Sequence, residues 1–204
     1  GIPLDFWEQA RRKLETINPK LIMLAESDRP EDLQNAFDIS YNFPYLTALQ
    51  DVFHGGMPAS TIRKQWEESH RRFPAGGLLL RASDNHDQQR AVSLFSQAGA
   101  SAASVLNFTM DGVPFLYNGQ EIGDTTAIDH RLHFPMRWEL DKPQLPADSG
   151  VARAQAAING WYERLVALRA REPDLEDGEL HWVENSSPDS VISYERGHGR
   201  GRVL

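Results

Sequence analysis

Short apolar runs alternate with stretches of helical periodicity along most of this chain, and that alternation constrains its fold more than any other feature. Leu21-Ile22-Met23-Leu24-Ala25, Leu78-Leu79-Leu80 and Val113-Pro114-Phe115-Leu116-Tyr117 are continuous apolar runs of the kind found in strands covered on both faces, with Ala36–Ile39 as a weaker fourth. Between and around them lie helical patterns. The first carries Phe6, Ala10, Leu14 and Ile17 at helical spacing, with Asp5 placed to cap its start and Pro19 to close it. Others cover Tyr45–Phe53, about Ala59 to Arg72, the Ala- and Ser-rich stretch from Arg90 to about Met110, and Val151–Arg171, where Trp161, Leu165 and Leu168 share a face and Pro173 follows.

Strands separated by helices pair in parallel, because only a crossover can return the chain to the same end of the sheet, and such crossovers are right-handed. Four units of this kind amount to half of an eight-stranded barrel, a fold that usually needs about 250 residues. An open four-stranded sheet satisfies the same pattern. After Pro173 the style changes: Glu179–Glu184 and Ser190–Glu195 read as two strands around the turn signal Asn185-Ser186-Ser187-Pro188-Asp189. The expectation is therefore a parallel α/β unit over residues 1–175, with a β-domain opening at 176–204. A long Asp- and Pro-rich loop is expected up to Ser149. The chain begins at Gly1 without Met and stops at Val203-Leu204 within strand-like sequence, so both ends read as cut.

Charge narrows the function. The formal net charge of −8 and the absence of long basic clusters exclude a nucleic-acid surface, and runs such as Arg11-Arg12-Lys13 fit a solvated helix face. No apolar run approaches the ~20 residues that span a bilayer, so no membrane partner is expected. With no cysteine among 204 residues, disulfide and thiol chemistry are excluded.

In a parallel barrel the working residues sit where strands end. Three apolar runs here end in polar clusters: Glu26-Ser27-Asp28 after the first, Ser83-Asp84-Asn85-His86-Asp87 after the Leu78 run, and Asn118-Gly119-Gln120-Glu121 after the Val113 run. Carboxylates, an imidazole and amides converging on one mouth suit glycoside chemistry. There a protonated carboxylic acid protonates the leaving oxygen and a carboxylate acts as nucleophile or stabilises positive charge on the ring. Taken by itself, Glu26 serves equally as a strand-end carboxylate in a salt bridge.

The order of these clusters resembles the α-amylase family, glycoside hydrolase family 13. Asp84-Asn85-His86-Asp87 resembles its fourth conserved region, and Leu24-Ala25-Glu26 after Ile22-Met23 its third. Gly112–Glu121 is similar to its eighth-strand motif. The helix with Leu165, Leu168, Arg169 and Pro173, followed by Gly178-Glu179-Leu180, is similar to the passage into its C-terminal β-domain. The resemblance implies the second half of a (β/α)8 TIM barrel, strands 5–8, and the start of a β-sandwich. It implies Glu26 as general acid/base, Asp87 as the carboxylate that grips sugar hydroxyls and stabilises the transition state, and His86 as a partner of the same hydroxyls. Asn85, Asp84 and Arg90 complete the substrate-binding set, Asn85 by orienting the turn and the other two by charge. Gln120 and Glu121 are expected to brace the last loop.

The family's nucleophile is an Asp within a Gly-Phe-Arg-x-Asp motif, and this sequence has no such motif. Gly1–Trp7 resembles the family's segment just after the nucleophile, which places the nucleophile a little upstream, in the missing N-terminal half of the barrel. The implied parent is a retaining hydrolase of α-glucosidic bonds in starch-like or maltooligosaccharide substrates. The chain alone is expected to be inactive, and no cofactor and no metal are expected in this segment. A transglycosylase or trehalose-forming relative, or a non-catalytic carbohydrate-binding homologue, fits the same residues.

Overall fold

A computed structural model describes residues 1–127, 136, 150–198 and 201–203. Helix α1 (Leu4–Glu15) leads into strand β1 (Leu24–Ala25), the single-turn α2 (Asp32–Asn35) and strand β2 (Ile39–Ser40). Helices α3 (Phe43–Phe53) and α4 (Ser60–Arg72) precede strand β3 (Leu78–Arg81), helix α5 (Ala91–Thr109) and strand β4 (Val113–Pro114). Helices α6 (Gly150–Arg171) and α7 (Asp174–Asp177) then lead to strands β5 (Glu179–Trp182), β6 (Tyr194–His198) and β7 (Gly201–Val203).

Strands β1-β2-β3-β4 form one parallel sheet in chain order, with Leu24 beside Ile39, Ile39 beside Leu78, and Leu80 beside Val113. All four therefore point the same way, and the residues that follow them gather at one end. Strands β5-β6-β7 form a separate antiparallel sheet.

Several sequence expectations shift. Asp5 does not cap α1: Pro3 holds the N-cap position, and Asp5 lies inside the first turn, where its charge still faces the positive end of the helix dipole. The apolar stripe of α1 is not covered. Phe6, Leu14 and Ile17 are 51%, 43% and 81% exposed, and no α1 residue is buried. The first apolar run pairs only at Leu24–Ala25, and the weak strand expected at Ala36–Ile39 begins at Ile39, because Ala36 closes the short helix α2. The second strand of the β-domain starts at Tyr194 instead of Ser190, and the Gly-rich tail supplies a third. The loop expected up to Ser149 falls largely outside the described residues.

Local chemistry explains the helices that hold the sheet. Asn42 accepts the Tyr45 N–H at the start of α3, with Pro44 in the first turn, and its amide also bonds Ser69 on α4. Tyr45, Leu49, Ile62, Phe95, Ala103 and Met110 form a core into which Leu180 of β5 also packs. Each large side chain of this kind contributes roughly 1.5–3 kcal/mol on burial. Phe108 meets Tyr162 and Leu165 of α6, and the Trp161 indole donates to Ser104 at 2.8 Å. Arg196 of β6, 1% exposed, donates to the carbonyls of Gly178 and Thr109 and so ties the small sheet to α5. Gly112, at φ +100° just before β4, has the Leu79 carbonyl oxygen 2.4 Å from where a Cβ would stand, so no other residue fits there without displacing the strand.

Candidate active site

The carboxyl ends of β1 and β3 place Glu26 and His86 side by side although 60 positions separate them in the chain. The His86 Nε2 lies 3.0 Å from a Glu26 carboxylate oxygen and 3.6 Å from an Asp87 oxygen. Their side chains are 42–55% exposed, so the trio forms an open mouth to solvent.

Beneath it lies a buried layer. Asp84 is 1% exposed and accepts the Ala91 N–H at 2.9 Å, which fixes the start of α5 against the end of β3. Burial pushes its carboxyl up to about 6, against the opposing pull of the Ala91 N–H and of Arg90. Asn85 is fully buried and accepts the Asp87 N–H at 2.9 Å, closing the tight turn that presents His86 and Asp87. Arg90 is 4% exposed. It donates to the Asn118 carbonyl at 2.8 Å and lies 4.8 Å above the Tyr117 ring, so it clamps the loop after β4 onto the loop after β3. The structure thus brings Glu26, His86 and Asp87 together at the surface and sets Asp84, Asn85 and Arg90 below them, away from solvent.

The loop after β4 is self-braced. Gln120 is buried, donates to Ser83 and accepts the Tyr117 N–H, while Glu121 accepts the Gly119 N–H at 2.9 Å. Gly119, at φ +92°, lets this loop approach Arg90 closely.

Tyr41 is a site residue that sequence reasoning misses. It follows β2, is 5% exposed, and stacks on Phe43 with ring centres 5.1 Å apart. Its phenol is held above its ordinary value, first by burial and then by the nearby charges of Glu26 and Asp87, against the Asn85 side chain. Together with Phe115 and Tyr117, stacked at 6.3 Å, it gives the floor an aromatic character. The signal in the sequence is a polar-aromatic triplet, Ser40-Tyr41-Asn42, behind a strand of only two paired residues.

A parallel sheet of alternating strands and helices, with a Glu–His–Asp cluster past the carboxyl ends of its strands, is consistent with part of a barrel-type α/β architecture. The chain belongs to the α-amylase family: the family model "Alpha amylase, catalytic domain" matches residues 3–177. Among curated relatives, the α-amylase MalA of Haloarcula japonica is 26% identical over 190 residues, covering 85% of this chain and 29% of that protein. A cyclomaltodextrinase of Thermoanaerobacter pseudethanolicus is 24% identical, covering 85% of this chain and 30% of that protein. The solved maltogenic α-amylase AmyB of Thermotoga neapolitana superposes with a TM-score of 0.79 at 26% identity, covering 97% of this chain and 44% of that one. The cyclic α-maltosyl-(1→6)-maltose hydrolase of Arthrobacter globiformis, covering 98% of this chain and 45% of that one, does so with a TM-score of 0.78 at 23% identity, a likeness of fold. The chain thus spans less than a third of the length of these curated relatives and under half of these solved chains.

Proposed function

We propose that this chain supplies strands 5–8 of a (β/α)8 barrel and the opening of its C-terminal β-domain from about residue 176, in a retaining hydrolase of α-glucosidic bonds. The substrates are starch-like glucans or maltooligosaccharides. The observation that carries this reading is the convergence of Glu26 with His86 and Asp87 from two strand ends, within 3.0 and 3.6 Å of the shared imidazole. Glu26 protonates the leaving glycosidic oxygen and then, as a carboxylate, takes a proton from the incoming water. Asp87 and His86 hold hydroxyls of the sugar at the cleaved bond, and the Asp87 charge strengthens its hold as the ring becomes oxocarbenium-like. Asp84, Asn85 and Arg90 position that pair through the contacts beneath it and do not touch sugar.

Retention requires a second carboxylate about 5 Å from the acid, with the reacting carbon between them. The family resemblance gives Asp87 the role of gripping sugar hydroxyls and puts the nucleophile in a Gly-Phe-Arg-x-Asp motif that this sequence lacks. The nucleophile therefore comes from the half of the barrel that this chain does not contain. The isolated 204-residue chain should show no hydrolysis of maltooligosaccharides. In a protein that joins it to the N-terminal half barrel, Glu26→Gln should lower kcat by roughly 10²–10⁴-fold, the range general acid–base catalysis contributes. Turnover by the chain alone that vanishes with Glu26→Gln would refute the division of the site. Full activity of Glu26→Gln in the joined protein would refute the assignment of the acid.

A further inference from the structure

The buried layer under the mouth contains an amide that its own turn uses at one end only. Asn85 is fully buried, and its Oδ1 accepts the Asp87 N–H at 2.9 Å. Its Nδ2 is closed off from solvent as well, and no hydrogen-bond partner for it is present among the described residues. We propose that Tyr41 is a positioning residue of this site: its hydroxyl oxygen takes up an Asn85 amide hydrogen and so fixes the turn that presents His86 and Asp87.

Tyr41 is held where it can do this. Its N–H donates to the Ala25 carbonyl at 3.0 Å, one residue before Glu26. Its ring packs on Phe43 at 5.1 Å and on Phe115 at 6.2 Å, and only 5% of the residue is exposed. The ends of β1 and β4 therefore set the ring, not solvent. The orientation of Asn85 is settled too. A backbone N–H can only donate, so the amide oxygen faces Asp87 and the nitrogen is the end left over. The phenol lies beside that amide. Burial raises the phenol above its ordinary value, and the Asn85 side chain opposes this, as a donor aimed at a phenol oxygen does. The charges of Glu26 and Asp87 raise it further, which puts the phenol in the field of both carboxylates. A buried donor left unmade is costly, and Tyr41 supplies the acceptor. The residue then links three strand ends, through Ala25 after β1, Asn85 after β3 and Phe115 after β4. The consequence for catalysis rests on the glycosidase reading. There Asp87 tightens its hold on the sugar in the transition state, so a turn that swivels loses more there than in the ground state.

Amide hydrogen exchange followed by NMR tests the contact on the chain itself, without any need for turnover. Tyr41→Phe keeps the ring and removes only the hydroxyl. The Asp87 N–H, bonded to the amide that Tyr41 holds, should then exchange roughly five- to tenfold faster, the factor that one neutral hydrogen bond is worth. The Met110 N–H provides the control: it is bonded to the Leu106 carbonyl at 2.9 Å within the core, and its exchange should stay at the parent rate. In the protein that joins this chain to the N-terminal half barrel, Tyr41→Phe should lower kcat by about tenfold with KM nearly unchanged, the pattern of an interaction made in the transition state. Tyr41→Leu, which also removes the ring, should lower kcat at least as far. An Asp87 N–H at the parent rate in Tyr41→Phe, or one accelerated only as much as Met110, would overturn the proposal. So would a kcat that falls with Tyr41→Leu alone, because the ring and not the hydroxyl would then matter. The two readings fail separately. A joined protein that keeps Tyr41 and ignores maltooligosaccharides sinks the glycosidase reading, and the exchange rates still decide the contact. An active joined protein whose Asp87 exchange ignores Tyr41→Phe sinks only the positioning role.

Discussion

Two imidazole–carboxylate clusters occupy opposite ends of the sheet, and they differ in exposure and in the charge that backs them. At the carboxyl ends of the strands, Glu26, His86 and Asp87 are about half exposed and lean on one nitrogen. At the other end, Asp111, just before β4, collects the Trp66 indole at 2.6 Å, the His70 Nε2 at 2.9 Å and the Arg81 guanidinium at 3.1 Å. Arg81 is fully buried, with its Nε donating to the Asp111 carbonyl and its guanidinium 4.8 Å over the Tyr45 ring. The second His70 ring nitrogen faces the Trp66 carbonyl at 2.9 Å. The Asp111 cluster is built around a buried guanidinium, whose Nη1 has no hydrogen-bond partner among the described residues, whereas the Glu26, His86 and Asp87 side chains are 42–55% exposed. Similar residue types thus build a structural lock in one place and a candidate catalytic mouth in the other.

Removing the lock should have the largest effect on stability. Asp111→Ala leaves the Arg81 guanidinium buried without its carboxylate and strips partners from Trp66 and His70, which should cost about 3–5 kcal/mol. Burial pushes the Asp111 carboxyl up, but Arg81, His70 and Trp66 more than offset this and hold it well below the usual carboxylate range. Its contribution is therefore present above the ordinary carboxylate pKa and fades as pH falls through the depressed value. Urea unfolding at neutral pH reads the loss. An Asp111→Ala midpoint close to that of the parent would mean that the two ends of the sheet do not differ in the way described.

How much of this contrast is legible in the sequence depends on chain distance and strand length. Glu26, His86 and Asp87 stand out because each lies just past an apolar run, and the end of a strand is a place that can be read from pattern alone. Tyr41 does not stand out, because β2 pairs over only two residues and the interposed α2 shifts it past the apolar window. The lock is invisible for another reason. Its partners stand 30 and 45 positions apart, and Arg81 looks like the polar end of a strand, the very signal that marks the opposite face. Nor can sequence tell which polar residues near the mouth lie under it. Asp84, Asn85 and Arg90 share a short segment with His86 and Asp87, and only the tight turn closed by Asn85 separates buried supports from exposed donors. Phe6 and Leu14 of α1, and Ile17 just after it, read by spacing as a buried stripe, yet they stand 51%, 43% and 81% exposed.

A smaller effect should come from His70, where pH sharpens the comparison. Burial pulls its imidazole down, but the bond to Asp111 and the Trp66 carbonyl outweigh burial and hold it above its ordinary value. A raised imidazole stabilises the fold fully below the unfolded value of about 6.5 and loses that contribution as pH rises through the folded value. With the side chain 41% exposed, solvent screening keeps the contribution to roughly 1 kcal/mol or less. His70→Gln should therefore narrow the stability gap between mildly acidic and alkaline pH. Thermal melts across that range check it, and an unchanged pH slope in the variant would place the proton elsewhere.

The smallest effect is expected at the mouth itself. The Glu26–His86 contact is made by side chains 48% and 42% exposed, and ion pairs that open to water contribute about 0–1 kcal/mol. Neither Glu26 nor His86 belongs to the buried core. Glu26→Gln and His86→Ala should then leave the unfolding midpoint within about 0.5 kcal/mol of the parent, the range typical of surface substitutions. A stabilisation would be equally informative, since two carboxylates gathered around one imidazole repel each other and Glu26→Gln removes one of them. If either variant instead lost several kcal/mol, the trio would be a second lock and its exposure incidental. A midpoint that stays put while sugar binding disappears is the signature of groups held for a ligand, because the fold then draws none of its own stability from them.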